Sequence, residues 1–477
     1  MSFSFSTNSR QSMTVQLSIE ELPAIVGGQW LFPPDGVDVI AGIFDDSRSV
    51  IAGSLFIAIK GEFTDGHHYL PQAVTRGARA VIVQHVPDAD AMHCMREAGC
   101  GCLQVADSLL AYQQLANWHL RQFPGVRVVA ITGSCGKTST KEMCASILEQ
   151  HHPGGVIKTI GSTNNHFGVP RNVFRICEST RVAILEMGTN HPGEIAGLVR
   201  IAPPDVGVVC NIGHAHLEFF HDLHGVAEEK GDLLAGIKPS GVAVWSPDLA
   251  EFPVLMRKAG NRKSITFGTS AQCDIRGEYL GMAGQLASLR LTWKASGLER
   301  VVKWQLGGAH MAMNAACAAA VGTALGCTAD EVADGLSACT LPGARQERRE
   351  VNGVTWINDA FNANPDSMRA AIDFITQLPP ASPQILVLGD MLELGAGAEE
   401  AHRGILQYAR QRCPDARILT LGRLMAEAAD GLSDGAIDAF RDRAHLHDEL
   451  LRLALPGARI LLKSSHGIGL AELMPPI

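Results

Sequence analysis

The chain has 477 residues, of which 46% are hydrophobic, and a formal net charge of −9 at pH 7. This length predicts two to four domains of about 100–200 residues each. The acidic balance and the lack of a long basic run argue against nucleic acid, or an acidic membrane surface, as the main partner. No run of about 18 apolar residues occurs, so no membrane span is predicted.

The N-terminal segment MSFSFSTNSRQSM is polar and lacks the apolar centre of a secretory signal, so we expect a frayed tail there. Twelve cysteines occur without a CxxC pair, and several lie in apolar stretches, such as Cys210, Cys317 and Cys339. Buried free thiols in a reducing cytoplasm are the favoured interpretation, and structural zinc is the minor alternative.

Residues 13–123 are predicted to form a small N-terminal α/β domain. Strands are predicted around 41–48, at 55–61 and at 78–84, with a turn and a helix between 64 and 77. Polar residues follow these strands, namely Ser47, Arg48, Lys60, Asp65 and His67. Open sheets bind ligands at such ends. A solvated turn with Asp65 as a helix cap fits this segment equally well.

Residues 124–340 are predicted to form a central domain that begins with a phosphate-binding loop. A strand of β-branched residues at 126–131 leads into TGSCGKTS, and a helical pattern follows. In this layout backbone N–H groups and a helix N-terminus bind phosphate, Lys137 neutralises charge, and the Thr138 hydroxyl holds Mg²⁺. Only two residues separate Gly133 from Gly136, whereas the common Walker loop has four. An ordinary glycine-rich turn therefore stays open for this stretch alone.

The rest of the chain alternates strands with helices, which predicts mainly parallel sheets. Central strands are predicted at 182–188, 205–213, 241–248 and 265–268, an antiparallel strand at 288–294, and a helix at 311–325. LPGARQE then indicates a hinge into a C-terminal, Rossmann-like domain at 341–477. Its elements are strands at 384–390, 416–422 and 458–465 and a helix at 367–378.

Four residues of the central region bear on metal binding, namely Glu186, His214, His216 and Lys230. Glu186 ends a strand expected beside the phosphate-loop strand, where a carboxylate reaches Mg²⁺. His214 and His216 are expected to point oppositely on a strand, which does not suit zinc, so one histidine of the segment 214–224 is expected beside magnesium and the others as polar lining or surface. On local grounds Lys230 is expected to be an ordinary exposed lysine beside glutamates.

Several long motifs, in order along nearly the whole chain, resemble those of the Mur ligase family of peptidoglycan precursor synthesis. They are TGSCGKTS, GSTNNHFGVP, LEMGTNHPGEI, NIGHAHLEFF with GVAEEKGDLL, and NDAFNANPDSM. GDMLELG at 389–395, with His402 downstream, is more typical of the branch that adds D-alanyl-D-alanine.

The resemblance implies site roles position by position. Lys137, Lys230, His216 and Arg345 would be catalytic. Metal ligands would be Thr138, Glu186, His216 and a carbamylated Lys230. The UDP-sugar side would be lined by Ser47, Arg48, Asn164 and Asn165. ATP would be bound by Gly133, Ser134, Cys135, Gly136, Lys137, Thr138, Ser139, Asn314, Arg345, Asp359 and Asn362.

Three positions depart from the family pattern or stand out within it. Met311 replaces an asparagine at the start of a helix and cannot donate its amide hydrogen bond. His466 replaces an arginine in the closing KSSHG motif and lacks its permanent charge. Cys135 is either a small filler in the phosphate loop or a thiol whose pKa is lowered by the helix N-terminus and Lys137.

The resemblance also implies the reaction: ATP-dependent ligation of D-alanyl-D-alanine to UDP-N-acetylmuramoyl-tripeptide through an acyl phosphate, with two Mg²⁺, by a cytoplasmic monomer. The alternatives within the class are the diaminopimelate- or lysine-adding ligases, although a D-N-P-R motif is lacking, and folylpolyglutamate synthase. A nucleotide-binding scaffold without ligase activity is the alternative from another class, supported only by Met311 and His466.

Overall fold

The computed structural model describes residues 17–36, 39–215, 217–284, 286–432 and 435–476. The predicted frayed tail lies outside these residues. The described chain divides into two compact units. The first holds the residues up to Val126 with Thr159–Ala183 and Arg200–Pro203; the second holds Arg127–Lys158, Ile184–Val199 and the chain from Pro204 onward.

The strands of the described residues form four sheets. Their bounds are β1 Leu17–Ser18, β2 Gln29–Phe32, β3 Val39–Ile40, β4 Ile43–Phe44, β5 Leu55–Ile57, β6 Ala80–Val83, β7 Gly101–Gln104, β8 Arg127–Thr132, β9 Val156–Lys158, β10 Val182–Glu186, β11 Val206–Val209, β12 Val242–Trp245, β13 Lys263–Gly268, β14 Ile275–Ala283, β15 Leu286–Trp293, β16 Leu298–Trp304, β17 Glu347–Val351, β18 Val354–Asn358, β19 Gln384–Gly389, β20 Arg417–Leu421, β21 Ile437–Phe440 and β22 Arg459–Lys463.

The α-helices alternate with these strands along most of the chain. Their bounds are α1 Leu22–Val26, α2 Leu70–Thr75, α3 Ala89–Glu97, α4 Ser108–Arg121, α5 Lys137–His151, α6 Gly168–Val173, α7 Glu194–Ile201, α8 Leu217–Phe220, α9 Leu223–Ala235, α10 Phe252–Ala259, α11 Ala309–Ala324, α12 Ala329–Ala338, α13 Pro365–Thr376, α14 Ala398–Arg412, α15 Arg423–Asp430 and α16 Arg443–Leu453. Short 3-10 helices occur at Ser47–Ser49, Gly66–Tyr69, Gly395–Gly397, His466–Ile468 and Leu470–Leu473.

A five-stranded sheet in the order β2-β7-β6-β5-β4 forms the centre of the first unit. Its strands are parallel except for the pair β2–β7. The predicted strands at 55–61 and 78–84 are confirmed, with shorter bounds. Its core includes Phe56, Val81 and Met95, all 1% exposed or less.

A nine-stranded sheet in the order β16-β15-β14-β13-β12-β11-β8-β10-β9 carries the phosphate-binding loop. β8 lies between β11 and β10, so the predicted adjacency of the Glu186 strand and the loop strand is confirmed. The predicted antiparallel strand at 288–294 is also confirmed, since β15 pairs antiparallel with β14 and β16.

A six-stranded sheet in the order β17-β18-β22-β19-β20-β21 follows, parallel except for β17–β18. Helix α13 begins at Pro365 rather than Ser367. Asn364 accepts a hydrogen bond of 2.8 Å from the Ser367 backbone N–H, and the two residues form a reciprocal cap.

The mixed α/β class with mainly parallel sheets is confirmed. The exact bounds of three domains stay a prediction. Among the helices of the described residues, none combines the length and apolarity that crossing a membrane requires.

Candidate functional site

The glycine loop between β8 and α5 is shaped by backbone that only glycine adopts readily. Gly136 has a φ of 78°, and helix α5 begins at the next residue, Lys137. An added Cβ at Gly136 would lie 2.7 Å from the Asn314 side-chain oxygen. A side chain at position 136 would therefore have to displace the Asn314 amide and adopt a left-handed φ.

Residues that follow β11 hold the loop in place. The Ser134 hydroxyl donates to the Gly213 carbonyl at 3.0 Å, and the Cys135 backbone N–H donates to the Asn211 side chain at 2.9 Å. The Asn211 amide contacts the Cys135 sulfur at 2.6 Å. Asn211 was not singled out from the sequence, although it is a polar residue directly after a predicted parallel strand.

Cys135 corrects one sequence-based alternative. Burial raises the pKa of the Cys135 thiol, and this effect outweighs the hydrogen bond from Asn211 and the charge of Lys137, both of which lower it. The thiol is therefore neutral at pH 7, and the lowered pKa expected from its position at a helix N-terminus is wrong.

Thr138, Glu186 and Arg345 meet at the start of α5. The Thr138 hydroxyl donates to the Glu186 carboxylate at 3.0 Å, and the Arg345 guanidinium donates to the Thr138 oxygen at 3.3 Å. Glu186 is 2% exposed. Lys137 folds back so that its ammonium donates to the Gly133 carbonyl at 2.8 Å. The cluster presents two oxygen ligands of the kind Mg²⁺ prefers, next to two cations.

Lys230 lies inside the second unit, so the expectation of an exposed lysine is wrong. It is 2% exposed, because it shares the buried face of α9 with Val226, Leu233 and Leu234 at helical spacing. Burial, together with the charge of Lys137, lowers the pKa of the Lys230 amine to about 7. The Lys230 amine therefore loses its proton near neutral pH far more readily than an exposed lysine does.

The C-terminal part of the second unit supplies an aromatic contact and an ion pair. The Arg345 guanidinium lies 3.5 Å above the Phe361 ring. Lys463 pairs with the Asp359 carboxylate at 2.8 Å and donates to the Asn362 carbonyl at 2.9 Å. These contacts fix the segment that carries Asp359 and Asn362 beside Arg345. Phe361 was missed, although it lies inside the NDAFNANP motif.

Of the two histidines predicted after β11, the structure describes only His214. His216 lies outside the described residues. His214 lies in the loop after β11 rather than on a strand, because the strand ends at Val209. Its backbone N–H donates to Asp366 at 2.9 Å, and its ring approaches the same carboxylate at 3.3 Å.

Met311 and His466, which depart from the family pattern, both lie among the described residues. The buried Met311 sulfur accepts a weak contact of 3.9 Å from the Asn314 amide. His466 is exposed, and its ring centre lies 5.7 Å from that of Phe361.

The predicted sugar-side residues all lie in the first unit. Ser47 is buried and donates to Gln72 at 2.6 Å, whereas Arg48 pairs with Asp46 at 2.8 Å on the surface. The Asn165 side chain accepts from the Gly168 N–H at 2.9 Å and so supports the start of α6. Asn164 is half-buried in the same loop.

A bidentate ion pair brings these two segments together. Arg171, three residues after Gly168, contacts the Asp45 carboxylate through two nitrogens, at 2.9 and 2.7 Å. Asp45 precedes the Ser47 segment, so the pair fixes the Asn164–Asn165 loop against it. Neither residue was singled out from the sequence, because 126 positions separate them.

Comparison with known proteins gives three family-model matches. They are the Mur ligase family catalytic domain at residues 39–118, the Mur ligase middle domain at 131–322, and the Mur ligase glutamate ligase domain at 344–466. The chain is 33% identical over 468 residues to the UDP-N-acetylmuramoyl-tripeptide–D-alanyl-D-alanine ligase of Bacillus subtilis (strain 168), covering 96% of this chain and 98% of the relative.

Solved structures also match this chain over most of its length. A crystal structure of MurF from Acinetobacter baumannii matches with a TM-score of 0.87 and 29% identity, over 97% of this chain and 98% of that one. MurF ligase from Thermotoga maritima in complex with ADP matches with a TM-score of 0.79 and 26% identity, over 91% and 96%.

Proposed function

The chain belongs to the Mur ligase family, and we propose that it joins D-alanyl-D-alanine to UDP-N-acetylmuramoyl-tripeptide in an ATP-dependent reaction. The observation that carries the proposal is the meeting of Thr138, Glu186 and Arg345 at the phosphate loop. The two substrates are proposed by analogy with the Bacillus subtilis ligase, whose name states both of them.

The reaction needs an activated carboxylate, because a free carboxylate is a poor acyl donor. The tripeptide carboxylate attacks the γ-phosphorus of ATP, which forms an acyl phosphate and releases ADP. The amine of D-alanyl-D-alanine then attacks the acyl carbon, phosphate leaves, and the amine proton passes to solvent. Lys137 and Arg345 stabilise the negative charge on the transferring phosphoryl group.

The proposed metal site uses Thr138, Glu186, His216 and a modified Lys230. The donors described by the structure fit Mg²⁺, because a hydroxyl and a buried carboxylate lie 3.0 Å apart at the helix start. Two bound Mg²⁺ ions would offset phosphate charge as Lewis acids. Asn314, Asp359 and Asn362 are proposed to contact the nucleotide with the loop residues Gly133 to Ser139.

Carbamylation of Lys230 has a physical basis in its surroundings. Carbon dioxide reacts only with an uncharged amine, and the lowered pKa of Lys230 makes that form accessible near neutrality. The product is an anion that offers oxygen ligands to Mg²⁺ where an ammonium offers none. The carbamate is also attracted by the Lys137 ammonium, which repels the ammonium form of Lys230.

The first unit is proposed to bind the UDP-linked substrate through Ser47, Arg48, Asn164 and Asn165. The Asp45–Arg171 pair supports this, because it holds the two segments together. The proposal includes three domains, with bounds 13–123, 124–340 and 341–477. It also includes a monomeric protein in the cytoplasm. All twelve cysteines are free thiols, which is consistent with that compartment.

Phosphate release by the purified chain tests the function. Release is expected only when ATP, Mg²⁺, UDP-N-acetylmuramoyl-tripeptide and D-alanyl-D-alanine are all present, with equal formation of ADP. Release with meso-diaminopimelate or lysine in place of the dipeptide would contradict the proposal. Running the assay with tripeptides that end in diaminopimelate or in lysine identifies the third residue.

A further inference from the structure

A cluster of three different ligand types lies at the end of α5 that is remote from the phosphate loop. His151 is the last residue of α5, Cys327 precedes α12, and Glu331 lies in the first turn of α12. One ligand atom from each residue lies within 4.8 Å of the other two. The His151 Nδ1 and a Glu331 oxygen are 3.0 Å apart, and Cys327 is 9% exposed.

We propose that His151, Cys327 and Glu331 form a transition-metal site that takes a divalent ion of the zinc class. Imidazole, thiolate and carboxylate are the protein ligands of Zn²⁺, with bond lengths of about 2.0–2.3 Å. Tetrahedral bonds of that length separate ligand atoms by about 3.3–3.7 Å. The three atoms thus need only small side-chain shifts, and solvent takes the fourth position.

The carboxylate of this cluster is already oriented by its neighbours. One Glu331 oxygen accepts from the Thr328 N–H at 2.7 Å and from the Thr328 hydroxyl at 3.0 Å, so the other oxygen faces His151. Partners that orient ligands in this way are typical of metal sites.

The two helices that carry the site are fixed against each other. The Ser146 hydroxyl donates to the Gly335 carbonyl at 2.6 Å. An added Cβ at Gly335 would lie 2.5 Å from the Ile147 Cα, so α5 and α12 touch through their backbones. The cluster is therefore held by rigid elements, which favours a pre-organised site.

A second His/Asp cluster in the described chain lacks these features. His67 uses both ring nitrogens, Nδ1 with Asp65 at 2.6 Å and Nε2 with the Gln84 N–H at 3.0 Å. His85 stacks on the His67 ring, and no thiol belongs to the group. The His151 cluster is preferred because it combines a thiol, an oriented carboxylate and an imidazole.

Metal binding converts the Cys327 thiol to a thiolate and releases one proton to solvent. It replaces the His151–Glu331 contact with two metal bonds. Helix α5 has 15 residues, so its two ends are roughly 20 Å apart. The site therefore shares no ligand with the proposed ATP site, and its expected effect is to tie α5 to α12 and raise thermal stability.

Cobalt titration of the chelator-treated, full-length protein tests the proposal, because Co²⁺ bound to thiolate has a charge-transfer band in the near ultraviolet. One equivalent of Co²⁺ is expected to produce the band, and Zn²⁺ is expected to remove it. Cys327→Ser should abolish the band. His151→Ala and Glu331→Gln, at half-exposed positions that tolerate substitution, should weaken Co²⁺ binding about tenfold or more.

Cys413→Ser is the matched control, since Cys413 is 5% exposed and belongs to none of the ligand clusters found among the described residues. It should keep the full band. No band in the parent protein, or a band of full size in Cys327→Ser or in both other variants, would overturn the proposal. Ligase activity is not used as a readout, so the result is independent of the proposed function.

Discussion

Thr138 at the start of α5 and Glu186 at the end of β10 share a hydrogen bond of 3.0 Å across 48 positions of sequence. The hydroxyl and the carboxylate meet at the carboxyl ends of two strands, because β10 is the neighbour of the phosphate-loop strand β8 in the nine-stranded sheet. Arg345 reaches the same hydroxyl at 3.3 Å, although it lies 207 positions away. This meeting point is where the proposed chemistry is most directly tested.

Thr138→Val should lower the maximal rate on the order of 10- to 100-fold, because it removes one oxygen of the proposed Mg²⁺ site. The Mg²⁺ concentration needed for half-maximal ADP formation should rise as well. Thr140→Val is the matched control: Thr140 is buried on the same helix and should leave the Mg²⁺ dependence unchanged. Equal Mg²⁺ curves for the two variants would contradict the metal role of Thr138.

Lys230→Met should abolish turnover, because neither an amine nor a carbamate remains. In the parent protein, removal of carbon dioxide from the buffer should lower activity, and added bicarbonate should restore it. The effect follows from a Lys230 pKa of about 7, which exposes an uncharged amine to carbon dioxide. Activity measured in degassed and bicarbonate-supplied buffers checks this.

Lys258→Met is the control for that experiment. Burial alone would lower the pKa of Lys258, but its ion pairs with Asp232 at 2.5 Å and Glu228 at 3.2 Å prevail and raise it. This ammonium stays charged and is not expected to be carbamylated. The variant should keep both its activity and its bicarbonate response, and normal turnover by Lys230→Met would exclude the carbamate.

Arg345→Lys should reduce the maximal rate about 100-fold or more, because a lysine lacks the planar fork and stacks poorly on Phe361. The guanidinium of Arg345 lies 3.5 Å from that ring, which holds it toward Thr138. Arg349→Lys is the comparison, since Arg349 pairs with Glu347 and the Pro475 carbonyl. Similar losses in both variants would argue for a structural effect of arginine loss.

His310 should make the protein less stable in mild acid. Burial lowers the pKa of His310 from 6.5 to about 4, and its Nε2 accepts from the Gln346 amide at 2.9 Å. Between these two pH values the unfolded chain binds a proton that the folded chain excludes. The contribution of His310 to the free energy of unfolding therefore falls by up to about 3 kcal/mol as the pH drops from 6.5 toward 4. Above pH 6.5 this contribution does not change.

His310→Gln should flatten this slope, since glutamine does not titrate. Urea unfolding midpoints of parent and variant at pH 4.5 and pH 7 measure the effect. His214→Gln, at an exposed position, should behave like the parent protein. An equal acid-induced loss in His310→Gln and the parent would show that other groups cause it.

Local patterns in the sequence were enough to predict the phosphate loop and most central strands. The loop follows from consecutive residues: β-branched residues form β8, Gly136 adopts a left-handed φ, and α5 begins at Lys137. Strands β14 and β16 were not predicted, because the alternating strand β15 between them does not identify its partners. The motif resemblance supplied the order of site residues, although it gave no contact between them.

The sequence by itself determined which residue types stand at the loop, the strand ends and the hinge, since those features depend on neighbours within a few positions. Only the tertiary structure decided the environment of each group. It buried Lys230 and so lowered its pKa, and it buried the Cys135 thiol and so raised its pKa against the effect of the helix end. Desolvation and through-space charge depend on which distant segments pack together, as Asp45 does with Arg171 and His151 with Glu331.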